Sequence, residues 1–363
     1  MRFESLNAFA DSRRDKAITL PRVNQMEDEF LLSHEKARLV AFVVSPRRRM
    51  DRWTRHTWLP ARHKEDSVNI QEKTPRHALT RTGGFLKGYT HSLNPYGGCA
   101  FGRDVGERQG CPFCYVRESP VARFGPGGWG AWILVKKGID GRLAAELKRL
   151  DRTRTRVFMS SATDPYQGIE RRYELTRRCL KTFARFPIAA LVLQTRSVLI
   201  ERDFDLLSKM KAWVLVSLTL ETNREDIRRA LTPTSPTVAA RLRVARHAKD
   251  LGIPIQIVVA PVLPHTLDAF ADALASSCDR VVVDTLTAGD GARGARSRRL
   301  GMNEKLAELG FPGWMENEPE RPLMRKLTQK MGAERVLFSQ SGFADFSWVQ
   351  SADLPLRKPE INL

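Results

Sequence analysis

From about Gly84 onward the chain alternates short apolar runs rich in β-branched residues with amphipathic stretches. The runs Val157–Ser160, Ile188–Gln194, Trp213–Leu220, Ile255–Ala260, Val281–Asp284 and Val336–Phe338 read as strands. Between them Arg142–Leu150, Tyr173–Phe186, Phe204–Met210, Thr237–Leu251, Leu267–Ser276 and Asn303–Leu309 read as helices. Strands that alternate with helices at this spacing form βαβ units around a parallel sheet. With a first strand near Leu86–Ser92 there are six or seven such units. That predicts an α/β fold, a full or partial β/α barrel of the TIM type. In such barrels the chemistry gathers at the C-terminal ends of the strands. Polar residues stand directly there: Thr163, Asp164, Thr195, Arg196, Glu221 and His265.

Residues 1–82 have a different character. They carry basic runs such as Arg47-Arg48-Arg49, isolated Trp53 and Trp58, and few periodic apolar stretches. Phe30, Leu31, Leu32, Leu39, Val40 and Phe42 share a face over a helix at Glu27–Val44, and an irregular basic arm is expected from Ser45 to Thr82. The predicted organisation is a basic N-terminal extension over residues 1–82, the barrel over 83–315, and a segment over 316–363 that completes or caps it.

Charge bears on partners. The chain of 363 residues has a formal net charge of +19. Such a surplus favours polyanions, because basic side chains on phosphates release counterions; an arginine-rich solvated surface gives the same count. No apolar run reaches the length of a membrane span, and Met1–Asp15 lacks the apolar core of a secretory signal. A cytoplasmic protein with no membrane partner is the expectation.

Five cysteines are present, Cys99, Cys111, Cys114, Cys179 and Cys278, an odd number that argues against a disulfide framework. Three fall within sixteen residues, which points to a metal. Cys111-Pro-Phe-Cys114 alone reads as a zinc half-site, a redox pair or part of a cluster. A zinc site needs a fourth ligand, for which His91 is the nearest upstream histidine. A redox pair leaves Cys99 without a role. Three thiolates suit a 4Fe–4S cluster with one iron open to a small molecule. Gly97 and Gly98, just before Cys99, let the backbone fold tightly there.

Leu93-Asn94-Pro95-Tyr96-Gly97-Gly98-Cys99, followed by Cys111-Pro-Phe-Cys114-Tyr115, resembles the cluster loop of the radical S-adenosylmethionine (SAM) superfamily, in its spore photoproduct lyase-like branch. Thr163-Asp164-Pro165-Tyr166-Gln167, Thr195-Arg196-Ser197, Ser217-Leu218-Thr219 and Ala260-Pro261-Val262-Leu263-Pro264 follow in matching order over residues 84–285. The resemblance implies a partial (β/α)6-type barrel, a 4Fe–4S cluster on Cys99, Cys111 and Cys114, and SAM. It implies that Tyr115 lines the adenosine pocket and that Ser161 or Thr163, Arg196, Ser217 and Ala260 flank SAM. The family commonly has lysine at the Arg196 position; arginine can hold a carboxylate bidentately. It further implies an electron donor such as ferredoxin or flavodoxin, and a 5′-deoxyadenosyl radical that takes hydrogen from a substrate, here DNA or RNA if the basic arm with Trp53 and Trp58 tracks phosphates and stacks bases.

The sequence departs from that family in two places. Eleven residues, Ala100 to Gly110, separate the first two cysteines, against the usual three. Ser161 stands where genuine spore photoproduct lyases have a hydrogen-donor cysteine, so radical chemistry is expected but not that repair reaction. The rival reading is a zinc-stabilised nucleic-acid-binding protein without catalysis. Gly289–Arg299, with four arginines, is a candidate second contact or a mobile loop.

Overall fold

The computed structural model describes residues 68–350, so the helix expected at Glu27–Val44 and most of the basic arm lie outside the described residues. Among the described residues eleven strands are formed: β1 (Asn69–Lys73), β2 (Leu79–Arg81), β3 (His91–Leu93), β4 (Tyr96–Gly97), β5 (Trp132–Lys136), β6 (Arg156–Met159), β7 (Ala190–Thr195), β8 (Val214–Thr219), β9 (Ile255–Val259), β10 (Arg280–Val283) and β11 (Val336–Phe338).

The main sheet has the order β11-β10-β9-β8-β7-β6-β3-β2. Every neighbouring pair is parallel except β2 with β3. Seven parallel strands therefore follow one another in sequence, and the two edges do not pair with each other among the described residues. The barrel is partial. All six positions of β8 and all five of β9 are buried, as expected of strands covered on both faces.

Helices Ile139–Leu147, Leu175–Arg185, Val238–Asp250, Leu267–Ser277 and Glu320–Met331 cover the outer face with residues such as Leu143, Phe183, Val244, Phe270 and Leu327. The inner face is apolar at one depth. Phe158, Val192, Leu215, Val258 and Val282 meet Tyr89 and Phe343 there. Phe343 comes from the turn of helix Ser339–Phe343, and the Tyr89 hydroxyl donates to its carbonyl at 2.6 Å. Arg280 ties the same segment down, donating to the Gly342 carbonyl and pairing with Asp345 at 2.7 Å. This segment thus packs on the inner face of the sheet beside Tyr89, and Phe343 reaches the floor of the cavity described below.

Several elements differ from the sequence-based expectation. The first parallel strand is His91–Leu93, after a turn at Gly84–Leu86, rather than Leu86–Ser92. The helix expected at Tyr173–Phe186 breaks at Glu174, whose backbone is left-handed (φ 50°). Phe204–Met210 is a string of short turns around Phe204–Leu207. Within the stretch expected to be irregular, β1 pairs in parallel with β5 and β2 pairs with β3. β1, β5 and β4 make a separate three-stranded sheet beside the cysteine loop.

Candidate active site

A cavity of about 280 Å³ opens at the C-terminal ends of the parallel strands. Cys99, Cys111 and Cys114 form one wall, and Tyr115, Ser161, Thr163, Arg196 and Ala260 line the remainder with Thr219 and Asp284. Of the residues singled out in the sequence, Ser217 does not line it. Ser217 is fully buried one layer deeper in β8, accepting from Gln256 Nε2 at 2.8 Å and contacting Gln194 Oε1 at 3.4 Å. Thr219, the last residue of β8, reaches the cavity instead. Cys179 and Cys278 are buried in the outer core. His265 packs on Phe270 and Trp314 outside the cavity, and His91 stands on β3 beside Thr90.

Three side chains hold the cysteine loop in place. Gln167, fully buried, donates to the Gly98 carbonyl at 3.3 Å and accepts from Ala100 N at 2.8 Å, gripping the backbone on both sides of Cys99. Asn94 bonds Ser161 Oγ and accepts from Ala162 N, fixing the loop to the end of β6. Arg117 donates to the carbonyls of Gly102 (2.9 Å), Gly110 (2.5 Å) and Cys111 (3.3 Å). The long insert between Cys99 and Cys111 therefore returns on itself, its two ends stapled by one guanidinium. Gly98 is required by the same packing. Its φ is +68°, and a Cβ there would lie 2.1 Å from the Trp132 carbonyl oxygen. The glycine is thus explained by contact with β5.

Charge is arranged around the thiols. Arg196 Nη1 lies 3.0 Å from Cys111 Sγ and 3.1 Å from Glu221 Oε1. Glu221, almost wholly buried, also pairs with fully buried Arg241 at 2.8 Å, which donates to the Thr219 carbonyl. Asp164 joins the ends of β6 and β7, accepting from Tyr166 N, Thr195 Oγ1 and Arg196 N. Burial pushes the Cys99 thiol up to about 12 and Cys111 to about 11, and raises Cys114. Arg196 pulls Cys99, Cys111 and Cys114 the other way. Binding of a metal centre by these thiols would release protons. Tyr115 donates its hydroxyl to the Ser161 carbonyl. Ser160 Oγ and Thr163 Oγ1 are buried at the cavity without a hydrogen-bond partner among the described residues.

The donors at the cavity are three thiols. A mononuclear zinc site draws four ligands to about 2.0–2.3 Å from one ion. Among the described residues, no three His, Cys, Asp or Glu side chains converge in that way. A cubane cluster is held by separate thiolates on separate irons, and three cysteines line one cavity here.

The Radical SAM superfamily profile matches residues 93–276, from the end of β3 into the helix after β9. The chain belongs to the radical SAM superfamily. The superfamily's cofactors are a 4Fe–4S cluster and SAM, and the three-thiol wall fits the first. In structure the chain is similar to spore photoproduct lyase, with a TM-score of 0.51 at 14% identity over 74% of this chain and 81% of that one. A form of that lyase with bound AdoMet and dinucleoside spore photoproduct gives 0.52 at 12% identity, over the same shares. This is a likeness of fold. In sequence it is 33% identical over 177 residues to the uncharacterized protein ORF301 of Acidianus two-tailed virus, covering 46% of this chain and 56% of that protein. It is 27% identical over 205 residues to the uncharacterized protein MJ0683 of Methanocaldococcus jannaschii, covering 56% and 71%. It is 28% identical over 209 residues to the uncharacterized protein Rv2578c of Mycobacterium tuberculosis, covering 56% and 59%. The chain thus spans little more than half the length of the first and last of these relatives.

No local pattern marks Arg117 or Arg241, which act through contacts made only on folding. Gln167 lay within a quoted motif, but its grip on Cys99 is a tertiary fact.

Proposed function

We propose that this protein is a radical SAM enzyme that abstracts hydrogen from a nucleic acid at the cavity mouth. One observation carries the chemistry: three thiols, a guanidinium and unpartnered hydroxyls share one cavity at the C-terminal ends of parallel strands. When bound, the cluster and SAM supply an electron and a 5′-deoxyadenosyl radical. Cys99, Cys111 and Cys114 would ligate the irons. Arg196 would face the SAM carboxylate, Thr163 and Ser161 its amino and ribose groups, and Tyr115 and Ala260 the adenosine. Ser217, one layer below, would act through Gln194, which does line the cavity. Ser161 has no hydrogen atom weak enough to quench a carbon radical, so the reading excludes thiol-mediated lesion repair at that position.

The substrate class rests on charge. The net charge is +19, and Glu118 bridges Arg123 and Arg299, which follow the cavity-lining Val116 and Arg296 in sequence, while Phe124, next to Arg123, is 88% exposed. The arginine-rich segment 289–299 is ordered around Asp290, whose carboxylate accepts four backbone N–H groups. Arginines next to an exposed ring suit phosphates next to a base. A low-potential carrier such as ferredoxin or flavodoxin would supply the electron. The cytoplasm, where thiols stay reduced, is the compartment the chemistry needs. Among the described residues no helix is long and apolar enough to cross a membrane.

The test is anaerobic purification, iron and sulfide analysis, and a dithionite-driven assay for 5′-deoxyadenosine with and without single-stranded DNA and RNA. About four irons per chain, with SAM cleavage raised by one nucleic acid, is expected. One zinc and no iron after reconstitution would leave a metal-stapled binding protein. Cleavage indifferent to both nucleic acids, with no salt-dependent binding to either, would remove the substrate class.

A further inference from the structure

The Arg196 guanidinium has one nitrogen engaged and two to spare. Nη1 alone reaches Cys111 Sγ at 3.0 Å, Glu221 Oε1 at 3.1 Å and Ser235 Oγ at 3.4 Å. Its position is fixed from three directions. The Arg196 backbone N–H is held by Asp164 at 2.8 Å, Glu221 is anchored by Arg241, and Phe101 lies across the guanidinium at 6.0 Å. Cys111 Sγ is itself 3.4 Å from the Phe101 carbonyl. Glu221 and Arg241 face each other at almost no exposure, so neither can swing away to water. A cation held this rigidly against one ligand sulfur does more than bind a carboxylate.

The geometry points to Arg196 as the residue that sets the reduction potential of the cluster, through a charge-assisted N–H···S bond to Cys111, with Glu221 and Arg241 as its positioning residues. The inference rests on the cluster reading above. Hydrogen bonds to cluster sulfurs and the local charge are the protein's levers on such potentials. A donor on the sulfur stabilises the more negative, reduced cluster and raises the potential. Nε and Nη2 make no hydrogen bond among the described residues and remain for a carboxylate in the cavity, so the two roles do not compete.

The experiment uses the full chain reconstituted anaerobically, without SAM. Wild type, Arg196→Gln and Arg196→Met are compared by iron and sulfide content and by an EPR-monitored redox titration. Both neutral variants are expected to titrate at a more negative potential, by at least a tenfold loss in the reduction equilibrium, which is 59 mV for one electron. A fully loaded variant with the wild-type midpoint overturns the inference. Should neither variant load, wild-type protein labelled with guanidino-15N arginine decides the matter. A 15N coupling on the reduced cluster is expected in pulsed EPR, and its absence refutes the bond. A wild type that never takes up iron would instead refute the cluster reading.

Discussion

Arg117→Ala is expected to leave the barrel folded while weakening the cysteine loop's hold on its cluster. The side chain is only 13% exposed and donates to three carbonyls at the two ends of the insert, at 2.5, 2.9 and 3.3 Å. A hydrogen bond with one charged partner contributes about 1.5–3 kcal/mol. Three would sum to several times that, but alanine lets water reach part of the loop, and the Asp104 contact at 3.8 Å, with that carboxylate 61% exposed, adds little. About 3 kcal/mol of ordering free energy remains as the reasoned loss. At about 1.4 kcal/mol per decade, affinity for the cluster falls roughly 100-fold. The assay is reconstitution at limiting iron and sulfide, read by iron content, with hydrogen exchange over residues 100–111. Arg123→Ala, at a 63% exposed side chain in the same segment, is the control and should load like wild type. Full iron occupancy in Arg117→Ala, with wild-type exchange in the insert, would refute the staple.

Two further outcomes follow from the buried charges. Glu221→Ala strands Arg241 and Arg196 without their carboxylate, at a cost of about 3–5 kcal/mol; at about 2–4 °C per kcal/mol the melting temperature should fall by roughly 6–20 °C, and a shift below about 2 °C would show that the network carries no stability. Asp284, at the cavity end of β10, has its carboxyl raised by burial from 3.8 to about 6. A carboxyl raised in the fold is stabilising while neutral, so stability is fullest below about pH 4 and declines as pH rises through about 6, by at most about 3 kcal/mol. Asp284→Asn should remove that slope from the melting temperature between pH 4 and 6, and an unchanged slope would assign it to another group.

The parallel sheet was legible because its strands are covered on both faces. Burial on two sides forces near-continuous Val, Ile and Leu, as in Val214–Thr219 and Ile255–Val259, and that signal survives without any knowledge of partners. The small sheet was not legible. All five residues of β1 are exposed and β4 has only two residues, so neither carries an apolar pattern. The break at Glu174 likewise has no glycine or proline to announce it.

Spacing and residue type singled out the three cysteines and the strand-end Thr163, Asp164, Thr195 and Arg196 that share the cavity, but also Glu221 and His265, which do not line it. Depth was another matter. Ser217 and Thr219 share one face of β8, and period-two alternation cannot say which of them reaches the mouth. The return of the insert under Arg117, the grip of Gln167 on Cys99, and the engagement of Arg196 between Cys111 and Glu221 join residues from 6 to 85 positions apart. The sequence by itself determined the alternation of strands and helices, the clustering of three cysteines and the basic charge, since these are properties of the chain read locally. Only the tertiary structure decided which polar groups meet in the cavity and which charge sits on which sulfur, because packing the strands and loops together fixes distances that no local pattern encodes.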